Sequence, residues 1–230
     1  MRKWHPKHIK KRATRAYHRI GGSDVVKRRA AATSFATKHG LVYFHTVSAS
    51  NETAPVIRGS TVSPGQIDSN FSIGTHAGYD MALIERVADM EFGNFEPSHH
   101  RWYVLEIDLK RARNLPYLFV GTKQQSKAYF AKVLTSHRGI AHLQLHGTEQ
   151  PRFHSNFVII GAPNDLPVLY QLFDEEVIAK MAAHAWPFSI ELDGDSLILT
   201  TLADKPSEQL MNKLLHYGLW FARQIDSKLA

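Results

Sequence analysis

The sequence predicts an α+β protein: a mainly antiparallel sheet with helices packed on one face, preceded by a basic N-terminal arm. The first observation is the order of patterns. Strand-like segments follow one another directly and most helical segments come late, whereas a parallel sheet would need strands and helices to alternate. The second is the composition, 43% hydrophobic and 21% charged, which is typical of a globular chain. The third is the positive charge, which is concentrated at the N-terminus. We expect residues 1–22 to form the arm and residues 23–230 a single α+β domain, because this length suffices for one large core.

The first predicted helix follows the arm. Gly21-Gly22 breaks any preceding structure, Ser23 can cap the helix, and the carboxylate of Asp24 complements the dipole of the first turn. Gly40 is typical of the position just after a helix, where the backbone turns left-handed. The sequence therefore predicts a helix over residues 23–40.

Strands dominate the next part of the chain, up to residue 120. Ala77-Gly78 predicts a tight turn between two of them. Pro116 places the last strand at an edge of the sheet, since proline cannot donate a ladder hydrogen bond. Residues 48–70 are predicted as a long polar loop that is either mobile or contains a short strand near Val56-Ile57. The predicted strands cover residues 41–47, 71–74, 80–92, 101–109 and 115–120.

The second half of the chain adds helices to these strands. Asn164 or Asp165 caps a helix with Pro167 in its first turn, where proline is favoured. Asp193-Gly194 predicts the turn of a β-hairpin. The last helix begins near Pro206-Ser207. The predicted helices cover residues 123–134, 165–185 and 207 onwards, and the predicted strands cover residues 140–145, 153–160, 188–192 and 197–201.

Several classes of protein are excluded by the residues that the chain lacks. It contains no cysteine, which excludes disulfides, thiolate nucleophiles and cysteine-ligated zinc or iron–sulfur clusters. No apolar run approaches the roughly 18 residues of a membrane span. No apolar segment follows the basic N-terminus, as a secretory signal would require. We therefore expect a soluble protein in the reducing environment of the cytoplasm.

No motif assigns a catalytic, metal or cofactor site. His142 and His146 would share one face of a strand, but His-Glu-x-x-His is absent, as are the phosphate-binding glycine loop and the Gly-x-Ser-x-Gly elbow. Carboxylates such as Asp80 and Glu85 would need a shaped pocket for acid–base chemistry, which a sequence does not show. We predict no catalytic residue, no metal and no cofactor, and no small-molecule ligand is identified.

Residues 1–40 carry the excess charge of the whole chain. They contain twelve Lys or Arg residues and one acid, a net charge of +11, whereas the rest of the chain contains sixteen basic and twenty acidic residues, a net charge of −4. Each Lys or Arg near an anionic bilayer contributes about 1 kcal/mol of attraction. The aromatic side chains of Trp4 and Tyr17 among these bases suit a lipid interface. The predicted contact residues are Lys7, Lys10, Lys11, Arg12, Arg15, Arg19, Lys27, Arg28 and Arg29.

Three other interpretations of the chain remain, two of which concern its basic arm. The arm would also attract the phosphates of a nucleic acid, with its aromatic side chains stacking on bases. An enzyme without a recognisable motif is a further alternative. Without any binding function, the arm is a solvated tail that aids solubility.

Five segments of the sequence resemble a known family. They are KHGLVY at 38–43, IGTHAGYD at 73–80, LPYL at 115–118, FHSNFVIIGAPND at 153–165 and SIELDGDSL at 189–197. In this order, from about residue 35 to residue 229, they resemble a bacterial family of unknown function, the domain of unknown function numbered 3137, whose members are often membrane-associated. The resemblance implies a cytosolic domain that commonly follows two membrane helices, and it brings no known catalytic residues.

This chain departs from that pattern because it contains no predicted span, and its basic arm stands where such a family member has its juxtamembrane segment. Either the arm replaces the anchor as a peripheral contact, or the protein is fully soluble. We therefore expect a cytoplasmic α+β binding or adaptor domain, peripheral at the inner face of the membrane. Its arm would contact an anionic lipid surface or a membrane-bound protein.

Overall fold

The structure is a computed structural model. It describes residues 22–46, 59–61, 66–90, 98–112, 114–123, 130, 133–135, 137–144, 151–183 and 188–229. Nine strands in this part of the chain form one antiparallel sheet in the order β1-β2-β3-β4-β9-β8-β5-β7-β6. The strands are β1 (Val42–Phe44), β2 (Ile67–His76), β3 (Tyr79–Met90), β4 (Ser98–Asp108), β5 (Leu115–Thr122), β6 (Ala141–Leu143), β7 (Phe157–Gly161), β8 (Ser189–Gly194) and β9 (Ser196–Leu202). The predicted α+β class with an antiparallel sheet is confirmed.

The five helices named below pack on one face of this sheet, called here the helical face. Phe35, Leu172 and Phe221 from three helices join inward-facing strand residues in the larger of two buried apolar clusters. The last helix approaches the sheet closely at Gly218, where an added Cβ atom would lie only 2.9 Å from Cδ2 of Leu105. The helices are α1 (Gly22–His39), α2 (Pro151–Asn156), α3 (Leu166–Leu172), α4 (Glu175–Ala183) and α5 (Glu208–Lys228), and a 3-10 turn spans Pro163–Asp165.

The opposite face carries the smaller apolar cluster. It is built around Trp102 and Phe119, and Val133 of the helical residues 133–135 packs against them. The predicted helix over residues 123–134 lies largely outside the described residues, as does the short strand considered near Val56-Ile57. Both faces of the sheet therefore bury apolar side chains, but the larger cluster lies under the named helices.

The predicted end of α1 and the predicted start of α5 are confirmed, whereas α1 begins at Gly22, so Ser23 lies inside the helix and is not its cap. Gly40 has φ +68°, and the N–H groups of Gly40 and Leu41 donate to the carbonyls of Thr37 (3.3 Å) and Ala36 (2.9 Å), which closes α1. At the other end of the chain the Ser207 hydroxyl accepts a hydrogen bond from the N–H of Leu210 (3.1 Å) and caps α5.

Both predicted hairpin turns are also present. Ala77 and Gly78 have positive φ angles of 52° and 81° between β2 and β3, and Gly194, the last residue of β8, has φ +65° where the chain turns into β9. The second turn lies one residue further along than predicted, because Asp193 pairs with Ser196.

The prediction that residues 48–70 are loop was wrong at its end. Strand β2 begins at Ile67, and Asp68 pairs with Arg86 across the sheet. A register shift between Ser69 and Ser72, with Asn70 at φ +53°, interrupts the alternation of side chains and hides the strand in the sequence.

The placement of Pro116 at a sheet edge was also wrong. Strand β5 lies inside the sheet, between β8 and β7. Its register with β8 shifts between Leu115 and Leu118, so the irregularity spans the proline and no regular ladder bond is required there.

Two further elements differ from the sequence prediction. Residues 153–156 are helical rather than extended, because Phe153 and Phe157, four residues apart, stack with ring centroids 5.0 Å apart and bury the helix face.

The helix predicted over residues 165–185 is two helices. Asp174 accepts a hydrogen bond from the N–H of Val177 (3.0 Å) and starts the second helix, while the preceding Phe173 is not helical.

Candidate functional site

The basic run Lys27-Arg28-Arg29 lies in the first half of α1. Successive side chains of a helix diverge by about 100°, so three adjacent bases cannot share one face. Lys27 and Arg29 are exposed, whereas Arg28 is only 3% exposed. The structure therefore places two of the predicted contact residues at the surface and the third in the interior.

Arg28 fixes α1 to the rest of the domain. Its guanidinium donates to the carboxylate of Asp24 (2.8 Å) and to two backbone carbonyls, those of Ala203 (2.9 Å) and Asp204 (2.5 Å), between β9 and α5. Because its donors are bound inside the protein, Arg28 positions the helix and does not present its charge to a partner.

Glu85 of β3 lies beneath α1 and balances this buried charge. It is 1% exposed, with its Oε1 atom 3.7 Å from Nη1 of Arg28 and in contact with Nη1 of Arg101 on β4. The side-chain amide of Asn70 donates to the other carboxylate oxygen (3.3 Å). Removing one partner of a buried charge is destabilising, because the remaining charge loses part of what replaces its hydration. This Glu85 cluster therefore fixes the position of α1 against the sheet.

The Glu85 cluster extends to the edge strand through a tyrosine. The Tyr43 hydroxyl donates to the side-chain oxygen of Asn70 (2.8 Å). Burial raises the pKa of Tyr43 above its ordinary value of 10.0, and the charge of Arg29 opposes that rise. Arg29 therefore lies close to β1 as well as on the exposed side of α1.

The exposed face of α1 combines apolar and basic side chains. Val26 is 67% exposed, and Ala30, one turn further along, is exposed beside it. Lys27 and Arg29 flank these two residues on either side, which follows from their positions around the helix. The other predicted contact residues, Lys7, Lys10, Lys11, Arg12, Arg15 and Arg19, lie outside the described residues. The part of the predicted site that the structure describes is therefore this face, called here the α1 surface.

A second buried charge cluster lies on the opposite face of the sheet. The carboxylate of Glu191, 1% exposed, accepts hydrogen bonds from the Ser60 hydroxyl (2.6 Å), the Ser60 N–H (2.9 Å) and the Tyr117 hydroxyl (3.2 Å). Burial raises the pKa of Glu191 above its ordinary value of 4.5, although these donors and the charge of Arg86 oppose the rise. Glu191 thus holds Ser60 and its neighbours against the sheet.

Arg86 pairs with Asp68 beside the same segment. Nε and Nη2 of Arg86 donate to the two carboxylate oxygens of Asp68 (2.7 and 2.8 Å), and Nη1 donates to the Thr61 hydroxyl (3.0 Å). Arg86 is fully buried. This two-pronged geometry is the strongest form of an arginine–carboxylate contact.

A shallow groove of about 360 Å³ lies at one end of the opposite face. It carries Asp80, Glu106 and Asp108, and burial followed by the charges of Asp195 and Asp80 raises the pKa of Asp108 above its ordinary value of 3.8. Asp80 and Glu85 lie on different faces of β3, so they cannot act as an acid–base pair. In the described ranges, no group of three or more histidine or acidic side chains is arranged to hold a metal ion.

Sequence reasoning missed both buried charge clusters. Glu85 follows Met81 and Leu83 at the inward-facing spacing of β3, and Arg86 follows Ile84 on the other face. In the sequence, the sign of these clusters was one charged residue at an otherwise apolar position on each face of β3. The partners of Glu85 and Arg86 are distant in the chain, so the pattern of β3 alone did not identify them.

The fold and the α1 surface define the class of this protein as an α+β domain built on one antiparallel sheet, with its candidate site on an exposed basic helix. No family model and no curated protein matches the sequence. Among solved structures, the chain is similar to the crystal structure of the mycobacterial trehalose monomycolate transport factor A. The TM-score is 0.55 and the sequence identity 15%, over 87% of this chain and 93% of that one. At this identity, the similarity establishes a shared fold.

Within the described part of the chain, none of the helices has both the length and the apolar character needed to cross a bilayer.

Proposed function

We propose that this chain is a non-enzymatic, cytoplasmic binding or adaptor domain that associates with an anionic membrane surface through its basic N-terminal segment. The observation that carries the proposal is the separation of charge, with +11 on residues 1–40 and −4 on the rest. An anionic bilayer attracts the first region and repels the second, so the molecule would be oriented as well as bound.

The α1 surface supports this orientation. Lys27 and Arg29 are exposed beside Val26 and Ala30, a combination that suits the boundary between lipid headgroups and acyl chains. Arg28 and Glu85 hold α1 to the sheet, so this surface has a fixed direction relative to the domain. A contact made by residues 1–21 would continue directly onto it.

The likeness to a solved structure is compatible with a role in a transport-linked assembly, because that structure is of a trehalose monomycolate transport factor. The resemblance of five sequence segments to the family of unknown function numbered 3137, whose members are often membrane-associated, stays a prediction that would agree with this role. A membrane-bound protein with an acidic surface would bind to the same basic residues as the lipid headgroups.

Vesicle sedimentation of the full chain tests the proposal. We expect binding to vesicles that contain phosphatidylglycerol, little binding to pure phosphatidylcholine vesicles, and weaker binding as salt is raised. Replacing Lys10, Lys11 and Arg12 by Gln should weaken binding on the order of a hundredfold at low salt, from roughly 1 kcal/mol per base.

The matched control replaces by Gln three exposed bases outside the N-terminal segment, namely Arg138, Lys205 and Lys213. This control should bind as the unchanged chain does. Equal loss in both triple variants would show that only total charge matters and would refute a role specific to the N-terminal segment. Salt-dependent binding to an oligonucleotide, in the absence of vesicle binding, would favour a nucleic-acid partner instead.

A further inference from the structure

The edge strand β1 exposes two large apolar side chains on one face. Val42 is 58% exposed and Phe44 is 45% exposed. Across the ladder they pair with Ile73 and Phe71 of β2, which belong to the apolar surface of the face opposite α1. The apolar surface of that face therefore continues to the edge of the sheet and reaches solvent there.

The backbone of these same two residues points outward. The N–H of Asn70 donates to the carbonyl of His45 (2.9 Å), so this pair is hydrogen-bonded across the ladder. In an antiparallel ladder, hydrogen-bonded and non-hydrogen-bonded pairs alternate, which makes Tyr43 the next bonded residue towards β2. The N–H and C=O groups of Val42 and Phe44 are therefore directed away from β2, towards the edge.

The other edge strand has a different character. In β6, Leu143 is buried and His142 is exposed, so the side chain presented to solvent is polar. Edge strands are ordinarily protected from pairing with other chains by short length or polar side chains. β1 is short, but its two outward-directed residues are apolar.

The helical side of β1 packs against α1, and Arg29 of that helix is exposed. Burial raises the pKa of Tyr43, the charge of Arg29 opposes that rise, and the charge of Glu85 adds to it. Glu85 is buried, so Arg29 is the one of these two charges that an added strand could meet. A strand added beside β1 would place alternate side chains next to Val42 and Phe44 on one face and next to Arg29 on the other. An apolar–acidic–apolar sequence complements these neighbours.

We propose that β1 is a docking edge that accepts an extended segment of a partner protein as an additional strand of the sheet. The segment has apolar side chains opposite Val42 and Phe44 and an acidic side chain opposite Tyr43. Main-chain hydrogen bonds hold the segment and the alternating side chains select it, as in other cases of strand addition. This docking edge adds a protein-binding surface to the lipid-binding role proposed above.

The probe is a short fluorescein-labelled peptide in which valine and glutamate alternate, titrated with the full chain and followed by fluorescence anisotropy. Phe44→Lys and Val42→Lys should each weaken binding about tenfold or more. Leu202→Lys changes an exposed leucine (48%) at the end of an inner strand and should leave binding unchanged. A peptide of alternating valine and lysine, or one with N-methylated valines, should bind at least about tenfold more weakly.

Amide hydrogen exchange measured by NMR gives a second readout that does not depend on substitution. On peptide binding, the amides of Val42 and Phe44 should become protected, while that of Tyr43, already bonded to β2, should change little. No peptide binding, equal binding by Phe44→Lys, or no new protection at Val42 and Phe44 would overturn the proposal. Self-association abolished by Phe44→Lys in sedimentation velocity would also overturn it, by showing that a second copy occupies the edge. None of these outcomes depends on vesicle binding.

Discussion

The two buried charge clusters lie on opposite faces of one sheet, yet adjacent residues of β3 supply them. Glu85 points to the helical face and meets Arg28 and Arg101, whereas Arg86 points to the other face and meets Asp68. Because side chains alternate along a strand, a single Glu-Arg pair in the sequence serves both faces. The clusters differ in what they fix: the first holds a long helix, and the second holds residues 59–61.

The number of partners in each cluster determines how well that cluster should tolerate the loss of one of them. Glu85 has two arginines and an amide around it, so the loss of one partner leaves others. The pair of Arg86 and Asp68 depends on one guanidinium whose geometry matches both carboxylate oxygens. We therefore expect the cluster on the face opposite α1 to be the more sensitive one.

The largest expected effect is that of Arg86→Met. Removal of this fully buried guanidinium leaves Asp68, 13% exposed, without its main partner and should lower the free energy of unfolding by about 3–5 kcal/mol. Urea unfolding followed by circular dichroism measures this change. The double variant Arg86→Met with Asp68→Asn should recover part of the loss, because no unpaired charge remains. A double variant as unstable as the sum of its parts would contradict the assignment to an ion pair.

Arg28→Met should have a smaller effect. Glu85 retains Arg101 and Asn70, so we expect a loss of about 1–3 kcal/mol in the free energy of unfolding, mostly from the bonds to the Ala203 and Asp204 carbonyls. Its matched control is Lys27→Met, one residue earlier and exposed, with an expected change within about 0.5 kcal/mol. Equal losses in the two variants would contradict the anchoring role of Arg28.

These residues also show what the sequence could predict. The helix predicted over residues 23–40, its closing Gly40 and the Ala77-Gly78 turn follow from local chemistry, and each is present, although the helix begins at Gly22 and not after a cap at Ser23. The errors arose where tertiary structure overrides a local signal. Pro116 lies in an inner strand because a register shift accommodates it, and the bulge near Asn70 hides the start of β2.

The candidate site was predictable in charge but not in geometry. Counting bases identified the N-terminal segment, but only the packing of α1 separates the exposed Lys27 and Arg29 from the buried Arg28. The partners of Arg28 include Ala203 and Asp204, which lie 175 and 176 residues further along the chain. A periodic pattern within α1 contains no information about such distant acceptors.

The smallest expected effect is that of Glu191→Gln, and it is a change in pH dependence. Burial raises the pKa of Glu191 in the folded protein above 4.5, so the folded state holds the proton more tightly than the unfolded state. The contribution of Glu191 to stability is therefore fully present below about pH 4.5 and is lost as the pH rises through the folded-state pKa. Glutamine does not titrate, so the stability of Glu191→Gln relative to the unchanged chain should increase over this interval.

Urea unfolding at a series of pH values measures the difference, with the exposed Glu176→Gln as the control for loss of one negative charge. Parallel curves for Glu191→Gln and the unchanged chain would show that burial of the carboxylate has no net cost, and that the donors from Ser60 and Tyr117 fully replace its hydration.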